Sequence, residues 1–302
     1  MRERCLIEFD KSGAEWVVVA YCSGDARMID ICERGVSPHP ITGNFITGVP
    51  IELIEKEAKK DYVGMMNDPV EIERVRREKL PELFEKDYFL PRNMSIRQCG
   101  KKANHGLNYM ESWSMFAMIN ELDAADAKTI VHGYSHVAYP GILVWWESVK
   151  RQLKIDRTLT NCFGDKRRFM EQWGNDLFKQ AVAYIPQSTV AQLVATGMRL
   201  VYADRTISND WDLLANVYDS LTFQVTFTDW KVLARQCIKV GLDYMNQRCS
   251  YGGRDFFIGT DLKIGRSWGA MTEVKLTKDV DKLAKDLRIA WGKHRGETAA
   301  AA

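Results

Sequence analysis

WDLLANVYDSLTFQVTF, residues 211–227, is the clearest β signal in the chain: two runs rich in apolar and β-branched residues flank Asp219-Ser220. That pattern reads as a hairpin or tight turn presenting polar side chains at its tip. Working outward, a second short apolar strand, Cys5 to Phe9, ends on Asp10. Residues 14–22 (AEWVVVAYC) read as strand by β-branching alone. The Pro- and Gly-punctuated stretch from Gly35 to Pro50 reads as a loop. Residues 51–90 are highly charged, with opposite charges three and four apart, and read as helices with solvated faces. Residues 112–155 read as mostly helical with a break at Tyr139-Pro140-Gly141, and 169–202 as helical with an interruption near Pro186. Apolar residues at 280, 283, 284, 287 and 291 predict a C-terminal amphipathic helix, followed by a low-complexity ETAAAA tail.

The 302 residues are 46% hydrophobic and 27% charged, which excludes a disordered chain, collagen and a membrane bundle. Lys and Arg total 42 against 40 Asp and Glu, so the net charge of +2 excludes a uniformly basic nucleic-acid coat. A polyanion site must come from local clustering instead. The 7 cysteines form no C-x-x-C pair, and their odd number argues for reduced thiols rather than a disulfide framework. MRERCLIEFD places charges where a signal peptide needs its apolar core, and the longest apolar runs are too short to span a bilayer. A cytoplasmic location is expected, the host cytoplasm if the chain is of phage origin, with no membrane partner.

Three segments carry chemistry. In FDKSGAE, residues 9–15, Asp10 ends a strand and Glu15 follows five residues later. In RQCGKKANHGLNY, residues 97–109, Arg97, Lys101, His105 and Tyr109 recur every four residues and on a helix share one slowly turning face. Two fixed cations followed by two flat rings suit a phosphate chain continuing into a sugar and base. In VYDS, residues 217–220, Asp219 lies at a β-turn. Taken singly, each is more often ordinary: a turn former, a solvated helix side, and in the second segment two glycines that disfavour the helix.

In combination and in this order, the three segments resemble the signature motifs of the family A (DNA polymerase I-like) polymerases: Asp-x-Ser-x-x-Glu, then Arg-x3-Lys-x6-7-Tyr, then His-Asp-Glu. Further elements resemble the family in sequence order. They are Ser23-Gly24-Asp25, Ser37-Pro38-His39 through Gly48-Val49-Pro50, TNCFGDKRRF at 160–169, and Pro186-Gln187-Ser188-Thr189. The resemblance covers roughly residues 3 to 230. It implies a mixed α/β (α+β) fold with an antiparallel palm sheet and an inserted helical fingers subdomain. The expected division is palm at 1–40, fingers at 41–180 with a charged insertion near 51–90, and palm with a C-terminal helix at 181–302. It also implies that residues 14–22 are helical after all.

The resemblance implies a template-directed DNA polymerase that transfers a nucleotidyl group from a dNTP to a primer 3′-OH. Asp10, Asp219 and the main-chain carbonyl of Lys11 would hold two Mg²⁺ ions, with Mn²⁺ able to substitute. Arg97, Lys101 and His39 would bind the triphosphate, and His105 and Tyr109 would sit under the sugar and base. Glu15, paired with Tyr109, would close off the space of a ribose 2′-OH. Gln187, Arg168 and Tyr218 would meet the primer-template. The sequence departs from the family at Tyr218-Asp219-Ser220 in place of His-Asp-Glu, His105 in place of Phe or Tyr, and Met110 in place of Gly. Single-subunit RNA polymerases carry His-Asp-Ser at the third motif, but a small residue where this chain has Glu15, so DNA synthesis is favoured.

In the family, a thumb and several palm strands precede the first motif, which here begins at Asp10. The resemblance therefore implies a right-hand polymerase without thumb or exonuclease, either one half of a split polymerase or a truncated chain. It predicts an unpaired edge beside Cys5–Phe9 covered by a second polypeptide. The competing readings are a non-catalytic nucleic-acid-binding subunit of a replication complex and an RNA polymerase or primase-like variant.

Overall fold

The computed structural model describes residues 2–293. Its strands are β1 (Glu3–Lys11), β2 (Thr158–Thr160), β3 (Lys166–Arg168), β4 (Trp211–Val217), β5 (Ser220–Phe227), β6 (Cys249–Tyr251), β7 (Arg254–Phe256), β8 (Thr260–Ser267) and β9 (Ala270–Val274). The architecture is mixed α/β, an antiparallel sheet accompanied by many helices. Of the described residues, 2–15, 161–164 and 187–293 form one unit, and 16–160 with 165–186 form another.

In the first unit, alternation along β1 sorts its side chains between two faces. Cys5, Ile7 and Phe9 are buried on one, where Phe9 stacks on Trp211 with ring centroids 6.0 Å apart and meets Phe223 edge-on at 6.4 Å. The helices Trp230–Ile238 and Val280–Lys293 pack on each other and against strands of this sheet. The second of these buries Leu283, Ala284, Leu287 and Trp291, the apolar stripe read from the sequence, while the ETAAAA tail lies outside the described residues. Glu8 and Asp10 take the opposite phase of β1.

The sheet runs β4-β5-β1-β8-β9, antiparallel throughout. The unpaired edge expected beside Cys5–Phe9 is overturned: β1 is the central strand, bonded to β5 on one side and β8 on the other. The sequence hid this because β8 belongs to a segment some 250 residues downstream that matches none of the recognised motifs.

The second unit is mostly helical, and two of its elements depart from local propensity. The helix Ala14–Ser23 replaces the strand that β-branching suggests. Ala14, Trp16, Val18, Val19, Ala20 and Cys22 are all buried, so apolar residues cover more than one face and the helical period is lost in the sequence. The stretch 35–50, read as a loop, contains the helix Pro38–Thr47. Pro38 opens its first turn, where the missing N–H matters least, and Gly48 closes it at φ +77°. The prolines and glycines punctuate a helix there and do not replace one. Nor does Pro186 interrupt its helix, which runs unbroken from Asn175 to Ala203.

Asp25, from the Ser-Gly-Asp element, caps the helix Ala26–Arg34 by accepting from Arg27 N and Met28 N, and also accepts from Gly141 N at 2.9 Å. In the charged segment, Arg74 pairs with Glu71 and Glu78, and Arg77 with Glu73, all exposed, as solvated faces require. Glu57 and Arg76 are the exceptions, an ion pair at 2.6 Å whose side chains are 0% and 4% exposed.

Candidate active site

One carboxylate lies near the end of β1 and the other at the tip of the adjoining β4–β5 hairpin. Val217 pairs with Ser220 across a two-residue turn, so Tyr218 and Asp219 form the hairpin tip. Tyr218 adopts φ +55°, an uncommon conformation for a bulky residue, and is 93% exposed. The hydroxyl of Ser220 donates to Val217 O at 3.0 Å and so braces the turn. Asp10 lies opposite Ser220 in the β1–β5 register, and Lys11 N donates to Asp219 O at 3.1 Å. These contacts place the two aspartates as neighbours at one end of the sheet. Burial, and for Asp219 the charge of Asp10, raises both carboxyl groups above the usual range.

Lys11 faces the other way. Its ammonium is buried and donates to Met245 O at 2.7 Å, Ile258 O at 2.5 Å and Thr260 Oγ1 at 2.9 Å. Burial pushes it down to about 7. Those three bonds fix the main chain next to Asp10 without using Lys11 as a surface cation. After Ser12, Gly13 turns the chain at φ +57° into the helix whose first turn holds Glu15, close enough to Asp219 to raise it further.

In the second unit, the helix Ile96–Gly106 continues into a 3₁₀ turn, Leu107–Tyr109. It forms despite Gly100 because a Cβ there would lie 2.2 Å from His39 O and 2.8 Å from Gly43 N. The glycine lets this helix and Pro38–Thr47 touch backbone to backbone. Met110 ends the turn at φ +60°, a conformation a glycine adopts without strain. Arg97 is half-buried, while Lys101 and His105 are exposed. The close approach of the helices sets the His39 ring 6.1 Å from that of His105, and Asn104 Nδ2 lies 3.1 Å from His39 Nδ1.

Burial, and then the charges of Arg97, His105 and Lys101, push His39 down to about 4. His39 is therefore neutral at pH 7 and serves as a hydrogen-bonding group rather than a cation. Because its folded value lies below the ordinary 6.5 or so, the stability it contributes is complete above that pH and falls away as pH drops towards 4. Urea midpoints of the wild type should therefore decline more steeply between pH 6.5 and 4 than those of His39→Gln. Parallel declines would show that His39 titrates normally in the folded protein.

The residues expected at the primer-template are placed separately. Tyr218 is at the hairpin tip, Gln187 is exposed near the middle of the helix Asn175–Ala203, and Arg168 is exposed at the end of β3. Thr189, beside Gln187, is buried and accepts from Cys162 N at 3.2 Å.

No family model matches the chain, and no curated protein does. A solved structure does match: the POL domain of Pol1 from M. smegmatis in complex with DNA primer-template and dNTP, with a TM-score of 0.64 at 18% identity. The match covers 87% of this chain and 40% of that one. The fold is polymerase-like. The chain thus spans two fifths of the length of the polymerase structure it resembles.

Within this polymerase-like fold lie residues that the sequence reading missed. Glu8, buried two positions before Asp10, accepts from Lys263 Nζ at 2.7 Å and Trp268 Nε1 at 2.9 Å, and Lys263 also lies 3.4 Å from Asp10. The two-residue spacing of Glu8 and Asp10 on β1 was the available signal; Lys263 had none. Asn104, buried inside the second segment, was passed over because it carries no charge.

Among the described residues no group of three or more His, Cys, Asp or Glu could hold a metal ion. Asp10 and Asp219 nevertheless suit Mg²⁺, which binds through one or two carboxylates and completes its shell with phosphate oxygens and water. They are hard oxygen donors whose like charges reinforce each other, with the Lys263 ammonium as the cation placed beside Asp10. Among the described residues no helix is long and apolar enough to cross a membrane.

Proposed function

We propose that this chain is the catalytic part of a template-directed DNA polymerase of the family A type, transferring the nucleotidyl group of a dNTP to a primer 3′-OH as the bond to the leaving pyrophosphate breaks. The observation that carries the reading is the pair Asp10 and Asp219, neighbours near the end of β1 and at the tip of the adjoining hairpin, in a fold shared with a DNA polymerase domain. Asp10, Asp219 and the Lys11 carbonyl would hold two Mg²⁺ ions, which supply charge neutralisation at the attacking and leaving oxygens. Arg97 and Lys101 bind the triphosphate as cations and neutral His39 binds it as a hydrogen-bond donor. His105 and Tyr109 contact sugar and base, and Glu15 excludes a ribose 2′-OH. Gln187, Arg168 and Tyr218 contact primer-template. Positioning and electrostatics of this kind provide most of the rate in phosphoryl transfer.

A second polypeptide contributing further parts of the polymerase belongs to the same proposal. The test is extension of a labelled primer-template with Mg²⁺, by the chain alone and after co-expression with its neighbouring gene. Extension with dNTPs and little with NTPs is expected. Extension only with the neighbour supports a split enzyme. Extension in neither preparation overturns the catalytic reading, and equal use of NTPs overturns the assignment of Glu15.

A further inference from the structure

The polar core beneath the helix Ile96–Gly106 fixes more than packing. Asn104 is buried, and its side chain has three partners. Trp16 Nε1 lies 2.9 Å from Oδ1, Thr42 Oγ1 lies 3.0 Å from the same oxygen, and His39 Nδ1 lies 3.1 Å from Nδ2. An indole N–H can only donate, so the atom facing Trp16 must be the amide oxygen. The atom facing His39 is then the NH₂ group, which can only donate. His39 Nδ1 must accept, and in a neutral imidazole the proton then resides on Nε2.

The surroundings hold this arrangement in place. Thr42 Oγ1 is also 2.7 Å from the buried Tyr139 hydroxyl and 2.8 Å from Pro38 O, one residue before His39. Asn108 Nδ2 donates to Asn104 O at 2.7 Å, and Tyr134 OH donates to Asn108 Oδ1 at 2.6 Å. Rotating the Asn104 amide would set its NH₂ against the Trp16 N–H and strand two buried donors. Protonating His39 at Nδ1 would set two donors against each other. Asn104 therefore opposes ionisation of His39, as do the cations Arg97 and Lys101 near the ring.

We propose that Asn104 is a positioning residue that locks His39 as the Nε2–H tautomer, so that the ring offers a donor to a phosphate oxygen of a nucleoside triphosphate. The ligand class rests on the polymerase reading above; the tautomer does not. A carboxylate in place of the amide would keep the acceptor for Trp16 and Thr42 but could not donate to Nδ1. A leucine would remove both functions.

Long-range ¹H–¹⁵N spectra of the full chain, labelled on histidine and assigned through His39→Ala, read the protonation of each ring nitrogen. At pH 7.5 the wild type should show the Nε2–H tautomer, and Asn104→Asp should place a proton on Nδ1. Inorganic tripolyphosphate should shift the His39 Nε2 signal in the wild type. In primer extension, Asn104→Leu and His39→Ala should each raise the dNTP KM about tenfold, the size of one hydrogen bond to a charged group. The double variant should be no worse than His39→Ala, because Asn104 acts through the ring. An Nδ1–H tautomer in the wild type, an unchanged ring in Asn104→Asp, or additive penalties in the double variant would each overturn the proposal. If the wild type proves inactive in extension, the spectra still decide the tautomer, and the polymerase reading fails separately.

Discussion

Asp10→Ala and Asp219→Ala are each expected to lower nucleotide incorporation at least about 10³-fold, equivalent to about 4 kcal/mol of lost charge stabilisation. The same substitutions should leave the fold intact. Both carboxyl groups are raised by burial, and Asp219 is raised further by Asp10, so the folded protein holds them at some electrostatic disadvantage. The backbone bond from Lys11 N to Asp219 O and the Ser220 brace on the turn do not involve either carboxylate. Thermal midpoints of the variants should accordingly equal or exceed that of the wild type, and primer-template binding should persist. Loss of activity with loss of fold would assign the aspartates a structural role, and unchanged incorporation would sink the metal assignment. Primer extension paired with scanning calorimetry separates these results.

Arg76→Ala should be the most damaging substitution outside the candidate site, destabilising the protein by about 3–5 kcal/mol. Arg76 donates to Glu57, to Pro91 O at 2.6 Å and to Met94 O at 3.0 Å, while Glu57 also accepts from Ile96 N at 2.7 Å. One buried pair thus joins the helices Ile51–Glu57 and Pro69–Lys79 to the start of Ile96–Gly106, the helix that carries Arg97 and Lys101. Removing the guanidinium leaves a carboxylate already raised by burial with a single donor. Urea denaturation at neutral pH measures the loss. A change below about 1 kcal/mol, the size of a surface pair, would mean that water reaches Glu57 in solution.

The sequence disclosed those parts of the molecule whose chemistry repeats at short range. The β4–β5 hairpin was legible from its two apolar runs, although its turn is Tyr218-Asp219, one residue before the Asp219-Ser220 tip read from the sequence. The C-terminal helix was legible because one of its faces is wet. The helix Ala14–Ser23 was not, since apolar residues over most of its surface erase the period from which helices are recognised. Charge pattern identified the exposed pairs of Arg74 and Arg77 but could not separate them from the buried Arg76, one position away. The three segments were visible as residue types in chain order; Lys263 was not, being 253 residues from the aspartate it approaches. Asn104 lay in plain view, but its role depends on Trp16 and His39 arriving from two other helices.

None of the seven cysteines is joined in a disulfide, six of them are buried, and burial pushes Cys5, Cys99 and Cys249 up to about 12. Alkylating reagents attack the thiolate, so the folded chain presents them with almost nothing to react with. Cys5, Cys162, Cys237 and Cys249 belong to the unit of the aspartates, and Cys22, Cys32 and Cys99 to that of Arg97 and Lys101. The molecule therefore contains its own set of seals: whichever buried thiol is labelled first names the half of the protein that breathes open first.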